Sequence, residues 1–219
     1  PDTLASMTNP THNAGHAVEA RDLLGIAFLS RIRFAPNGSH AAYCVHRANE
    51  DQDRYESTIW LYRPEDDRVT RLTAPTEGLG YTWLQDSESL LFWGIRTEKD
   101  RQRREAGDHF TQCYRIPVDG GEAEPSFRLS VNAKEITQIA PGEFLVSATY
   151  DPVEASLQEI ADEAERKKRR EREKACVVLE ELPFWSNGAG FISGKRTRLY
   201  RYRQESGVLE AVSGDDVHV

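Results

Sequence analysis

Aromatic and β-branched residues recur along the chain in short runs separated by Gly, Pro, Asn and Asp, a pattern that predicts many short strands joined by tight turns. Residues 26–34 form one run, Ala35-Pro36-Asn37-Gly38 supplies turn chemistry, and residues 41–45 form the next run, together a hairpin. Pro presets φ at an early turn position and Asn-Gly tolerates positive φ, so this turn has a steric basis. The arrangement returns as residues 81–84, the turn Gln85-Asp86-Ser87-Glu88 and residues 89–93. It returns again as residues 136–140, the turn Pro141-Gly142-Glu143 and residues 144–149.

Each hairpin is followed by a third strand of similar composition: Ile59-Trp60-Leu61-Tyr62-Arg63, Cys113-Tyr114-Arg115-Ile116-Pro117 and Leu199-Tyr200-Arg201-Tyr202-Arg203. A polar turn comes next each time (Glu65-Asp66-Asp67, Asp119-Gly120-Gly121, Glu205-Ser206-Gly207), then a fourth strand such as residues 68–73 or 208–213. Four antiparallel strands per repeat make a propeller blade. The expected fold class is therefore all-β: about three four-stranded antiparallel blades of an incomplete β-propeller, with one charged helical insertion. The blades are placed at 23–76, 77–130 and 131–213, after an N-terminal tail over 1–22. Residues 214–219 read as the opening of a further blade.

Register locates the insertion. Trp60 and Tyr114 are 54 positions apart and Tyr114 and Tyr200 are 86 apart, so the third repeat carries 32 extra positions. The excess falls at residues 151–176. Asp151-Pro152-Val153-Glu154 reads as a helix start, with Asp as N-cap, Pro at the first helical position and Glu at the capping-box position. Val153, Leu157, Ile160, Ala161 and Ala164 then share one helical face, which predicts a single helix docked by its first half, with Arg166 to Lys174 in solvent. From Glu154 to Lys174 seven acids meet seven bases. Asp162 with Arg166, Glu163 with Lys167 and Glu165 with Arg169 have i,i+4 spacing, so the helix is expected to pair its own charges. Smaller polar excursions at 97–108 and 47–56 occupy the equivalent place in the other two repeats, so all three crowd one face of the propeller.

Composition narrows the function. The 219 residues include 28 Lys+Arg and 36 Asp+Glu, a formal net charge of −8. Phosphate-backbone binding needs clustered, uncompensated cations, so a nucleic-acid partner is not expected. No stretch approaches the ~18 consecutive apolar residues of a membrane span. Residues 1–20 show neither the basic flank nor the apolar run of a secretory signal. Cys44, Cys113 and Cys176 are odd in number and lack C-x-x-C spacing, which argues against a disulfide framework or a structural zinc site and makes a reducing cytoplasm the expected location.

Recognisable catalytic chemistry is sparse. Ser186-Asn187-Gly188-Ala189-Gly190 lacks the glycine before serine that a nucleophile elbow needs, and reads as a Gly-rich turn between strands. The run from Gly188 to Thr197 ends Gly194-Lys195-Arg196-Thr197 but leads into a strand, whereas a phosphate-cradling loop leads into a helix N-terminus. His12 and His16 lie in the tail, and His40, His46 and His109 lie in or beside strands without a diagnostic ligand set. No residue is nominated as catalytic, cofactor-binding or metal-binding, no cofactor is expected, and substrate-binding residues are unassigned.

Leu182-Pro183-Phe184-Trp185-Ser186-Asn187-Gly188-Ala189-Gly190-Phe191 with Lys195-Arg196-Thr197-Arg198-Leu199-Tyr200 resembles a segment of the N-terminal propeller of bacterial serine peptidases of the prolyl oligopeptidase family, in its acylaminoacyl-peptidase and dipeptidyl-aminopeptidase branch. Ser57-Thr58-Ile59-Trp60-Leu61-Tyr62 with Arg71-Leu72-Thr73, the hairpin Phe34-Ala35-Pro36-Asn37-Gly38 and residues 92–99 resemble the same region. The resemblance implies a C-terminal α/β-hydrolase domain with a Ser-Asp-His triad, which this chain does not carry, and a propeller that admits only short or unstructured peptides. The expected function is substrate gating and docking for such a peptidase. Its expected partners are the hydrolase domain or remaining blades and a peptide substrate, with a second copy of the chain as a further candidate. The rival expectation is a stand-alone propeller-like protein-interaction module.

Overall fold

The computed structural model describes residues 17–176, 178–179, 182, 185–186, 190–192 and 194–214. The first sheet runs in chain order through β1 (Phe28–Phe34), β2 (Ala41–Asn49), β3 (Arg54–Arg63) and β4 (Arg68–Arg71). The second contains β5 (Glu77–Trp83), β6 (Ser89–Ile95), β7 (Thr111–Pro117) and β8 (Glu124–Leu129). The third begins with β9 (Ala133–Ala140) and β10 (Glu143–Tyr150). A separate two-stranded hairpin of β11 (Trp185–Ser186) and β12 (Gly190–Phe191) intervenes before β13 (Arg196–Arg203) and β14 (Val208–Ala211) complete the third sheet. Neighbouring strands pair antiparallel throughout. The described chain is thus mostly β, with three four-stranded antiparallel sheets and a few short helices, the architecture of propeller domains.

Alternation decides which sheet faces are buried. Ser57, Ile59 and Leu61 of β3 and Phe144, Val146 and Ala148 of β10 are buried, while the residues between them are partly exposed. Residues 79–83 of β5 and 89–93 of β6 are buried without interruption, because the middle sheet is covered on both faces. Ala42, Cys44, Ile59 and Leu61 of the first sheet pack against Leu79, Tyr81, Leu90, Phe92 and Tyr114 of the second. The opposite face of that sheet, through Leu91, Trp93 and Cys113, meets Ile136, Phe144, Val146 and Tyr202 of the third. Gly80 permits one close approach, since a Cβ there would lie 2.4 Å from the Trp93 ring.

The insertion differs from the single helix expected. It forms two helices, α2 (Pro152–Gln158) and α3 (Glu163–Ala175), following α1 (Glu98–Glu105) in the second repeat's excursion. Asp151 caps α2 as anticipated, accepting hydrogen bonds from the Val153 and Glu154 amides. The chain then breaks, and Asp162 accepts from the Ala164 amide to cap α3 afresh. Arg166 folds back so that its guanidinium donates to the carbonyls of Ile160 and Ala161. Of the five residues expected on the docked face, Leu157 is fully buried, whereas Val153 is 40% exposed and Ala161 and Ala164 are exposed. None of the three i,i+4 pairs expected from spacing forms among the described residues, because Arg166 caps carbonyls and Arg169 faces Glu173 at 3.9 Å.

The second half of the insertion is mostly exposed, as expected, with Arg166 and Arg170 the half-buried exceptions. Arg170 lies between α2 and the end of α1, donating from Nε and Nη2 to the Glu154 carboxylate and from Nη1 to the Ala106 carbonyl. Arg170 and Glu154 side chains are only 14% and 15% exposed. Both helical excursions therefore meet at one end of the sheets.

Candidate functional site

The first strand of each sheet approaches the others, and the sequence dictates how. Between Ser30 and Arg33 the pairing of β1 with β2 slips by a bulge, and Arg31 takes the left-handed conformation at φ 54°. A bulge of this kind re-aims side chains that regular alternation would place elsewhere. Tyr81 and Trp83 of β5 fasten the distorted strand. The Tyr81 hydroxyl lies between the carbonyls of Arg31 and Ala42, and the Trp83 indole N–H donates to the Arg33 carbonyl at 3.0 Å.

Arg31 then reaches Glu135 of β9, 104 positions away, with Nη1 to Oε1 at 2.5 Å. Arg33 approaches the other oxygen of the same carboxylate at 3.5 Å without making a hydrogen bond to it. The side chains of Arg31, Arg33 and Glu135 are 29%, 42% and 41% exposed, so the cluster is open to solvent. Two guanidinium groups facing one carboxylate leave a net positive surface where the three first strands meet. Arginine's planar fork suits a carboxylate or a peptide carbonyl.

Beside this cluster, His46 lies between two serines, with Nε2 2.5 Å from Ser30 Oγ and Nδ1 2.6 Å from Ser57 Oγ. Burial, reinforced by the Arg31 charge, pulls its pKa below the ordinary histidine value. The second nitrogen faces a hydroxyl rather than a carboxylate, and Arg31 opposes an imidazolium. The serine–histidine contact therefore lacks the support that makes such a pair a nucleophile and base.

The other sequence candidates are dispersed. His40 accepts from Arg63 Nε at 3.2 Å at the opposite end of the sheets. His109 follows α1, where burial lowers its pKa, Glu154 and Asp151 oppose that shift, and Arg104 and Arg170 add to it. His12 and His16 lie outside the described residues. Ser186 and Gly190 pair across the β11–β12 hairpin, with residues 187–189 between them outside the described residues. Gly194 to Thr197 leads into β13, as the sequence indicated. Cys44 and Cys113 are buried free thiols and Cys176 is exposed. Among the described residues no helix is long and apolar enough to cross a membrane.

The Arg31, Arg33 and Glu135 cluster escaped sequence reasoning because a bulge and a contact between repeats created it. The one available signal was the pair of arginines in a strand otherwise rich in Phe, Leu and Ile.

No family model matches the chain. In sequence it is 24% identical over 197 residues to an uncharacterized peptidase, YuxL, of Bacillus subtilis (strain 168), a match spanning 90% of this chain and 28% of the relative. In structure it is similar to an acylaminoacyl peptidase in complex with Z-Gly-Gly-Phe-chloromethyl ketone, with TM-score 0.57 and 18% identity over 86% of this chain and 25% of that one. The Pyrococcus horikoshii acylaminoacyl peptidase gives TM-score 0.57 and 17% identity over 86% of this chain and 25% of that one. The chain thus spans about a quarter of the length of the relatives it matches.

Proposed function

We propose, from the premise that the chain is homologous to the propeller region of acylaminoacyl-peptidase and prolyl oligopeptidase-family peptidases, that it gates and docks short peptides for a serine peptidase whose hydrolase domain supplies the chemistry. The observation that carries this reading is the open Arg31, Arg33 and Glu135 cluster where the first strands of the three sheets meet. An extended peptide offers carbonyls and a terminal carboxylate to the arginines, which Glu135 holds in place through Arg31. Folded proteins present few such groups in an accessible, extended form.

We further propose that the hydrolase domain or remaining blades cover the first sheet's free face. Leu29 and Phe34 of β1 are 60% and 62% exposed there, opposite the face packed on the second sheet. Free thiols at Cys44 and Cys113 support a reducing, cytoplasmic location. Incubation with chromogenic aminoacyl and acyl-aminoacyl substrates is expected to give no turnover above background, while a fluorescent short peptide binds with saturable anisotropy. Turnover, or equal binding of a folded protein of similar charge, overturns the reading. The alternative of an independent interaction module draws on the directly opposed, exposed pair Trp185 and Phe191 in the β11–β12 hairpin.

A further inference from the structure

In the second and third sheets the tight turns fall at one end and the long helical excursions at the other, and in the first sheet the β1–β2 and β3–β4 turns share one end. A groove of about 380 Å³ opens on the turn end, between the first two sheets, away from both the helical insertion and the first-strand cluster. Arg63, Arg68 and Arg71 line it with His40 and Thr70, against one carboxylate, Asp119. This is a local excess of cations in a chain of net charge −8.

Two features set these arginines apart from ordinary surface cations. Arg63 and Arg68 are directly opposed across β3 and β4, an arrangement of like charges that destabilises a strand pair. Among the described residues no ion pair relieves Arg68 or Arg71, and Asp119 lies 3.9 Å from Arg63 with its side chain 90% exposed, a weak contact. Arg63 is also held in place. Its Nε donates to His40 Nε2, which puts the imidazole proton on Nδ1 facing Ser39 Oγ at 2.8 Å, and Ser39 Oγ donates to Asn37 Oδ1 at 2.7 Å. The terminal nitrogens of Arg63 remain for the groove. The Thr70 hydroxyl, which makes no hydrogen bond among the described residues, adds a donor beside them.

We propose that this groove binds a small tetrahedral oxyanion, inorganic phosphate or a phosphate monoester. Two guanidinium forks converging from adjacent strands suit such an anion, and its negative charge removes the repulsion between Arg63 and Arg68. The volume admits a small metabolite-sized ligand and no more. The site is independent of peptide docking, being formed by other strands at the turn end.

The test is a titration of the protein with inorganic phosphate at constant ionic strength, read by backbone amide chemical shifts, with chloride and succinate as separate arms. Phosphate is expected to saturate shifts at Thr70 and Gly120, with succinate and chloride producing none. Arg68→Gln, at an exposed position with no ion pair to lose, weakens phosphate binding about tenfold or more, and Arg169→Gln on α3 leaves it unchanged. Absence of saturation, equal response to succinate, or an unchanged affinity in Arg68→Gln overturns the proposal.

Discussion

Tyr81 shows how much one buried polar atom contributes to joining two sheets. Its ring belongs to the core between the first two sheets, and its hydroxyl serves the carbonyls of Arg31 and Ala42 on the bulged side of β1. Tyr81→Phe keeps the packing and leaves those carbonyls without that donor, so it is expected to cost about 1–3 kcal/mol in urea denaturation. The cysteines give a second residue-scale outcome. Burial pushes the Cys44 thiol up to about 11 and raises Cys113 further, whereas Cys176 is exposed. An aromatic disulfide reagent is therefore expected to modify Cys176 rapidly in the native protein, with Cys44 and Cys113 reacting only after denaturant is added. The strand that carries Arg31 was legible from Phe28, Leu29, Ile32 and Phe34, but the bulge was not. No local spacing signals a contact between residues 104 positions apart, and the left-handed turn at Arg31 lies at a residue type that does not advertise it.

At the scale of elements, the hairpins and third strands were readable because runs of aromatic and β-branched residues and the turn residues between them agreed at every repeat. The insertion was readable as helix but not as two helices. Asp162 followed by Glu165 repeats the capping signature already seen at Asp151, and that internal N-cap outweighs the apolar stripe running through Ile160 and Ala161. What fixes α3 against the body is Arg170, whose partners lie on α2 and beyond α1, a tertiary choice that overrides i,i+4 pairing. Arg170→Ala is expected to increase tryptic cleavage within α3 by severalfold while the thermal midpoint of the sheets moves little. Unchanged cleavage would mean that Leu157 alone holds the insertion.

His109 beside these helices and His46 beside β1 share a further property. Both are kept neutral in the folded protein by burial, Arg31 adding to the effect at His46 and Arg104 and Arg170 at His109, with Glu154 and Asp151 opposing it at His109. Below an ordinary histidine pKa of about 6.5 the unfolded chain takes up protons that the folded chain does not. The stability these residues contribute is therefore complete above that value and declines as pH falls beneath it. The urea midpoint is expected to drop between about pH 7.5 and 5.5, with a shallower drop in the His46→Gln/His109→Gln variant.

At the scale of the molecule, three sheets in series leave two kinds of surface. Interior faces are closed by the paired cores, so the middle sheet needs no further cover. The first sheet's free face carries Leu29 and Phe34, and the third sheet carries charged pairs such as Arg201 with Glu143 and Arg203 with Glu210 together with the exposed Ile139 and Val208. A closed propeller uses about four to eight blades, and the exposure of Leu29 and Phe34 supports the proposal that further structure covers the first sheet. The triple repeat made the sheets legible in sequence. Their convergence on a charged surface was not, because it depends on the angle between blades rather than on any residue pattern.

That surface also provides the most direct test of the docking account. A short, unstructured acylated peptide is titrated into the isotopically labelled protein, and amide shifts are mapped residue by residue. Saturable shifts centred on Arg31, Arg33 and Glu135 are expected, lost in Arg33→Glu, with no product formed over the course of the titration. Shifts confined to the outer strands β4, β8 and β14, unchanged binding in Arg33→Glu, or hydrolysis of the peptide would contradict the docking account.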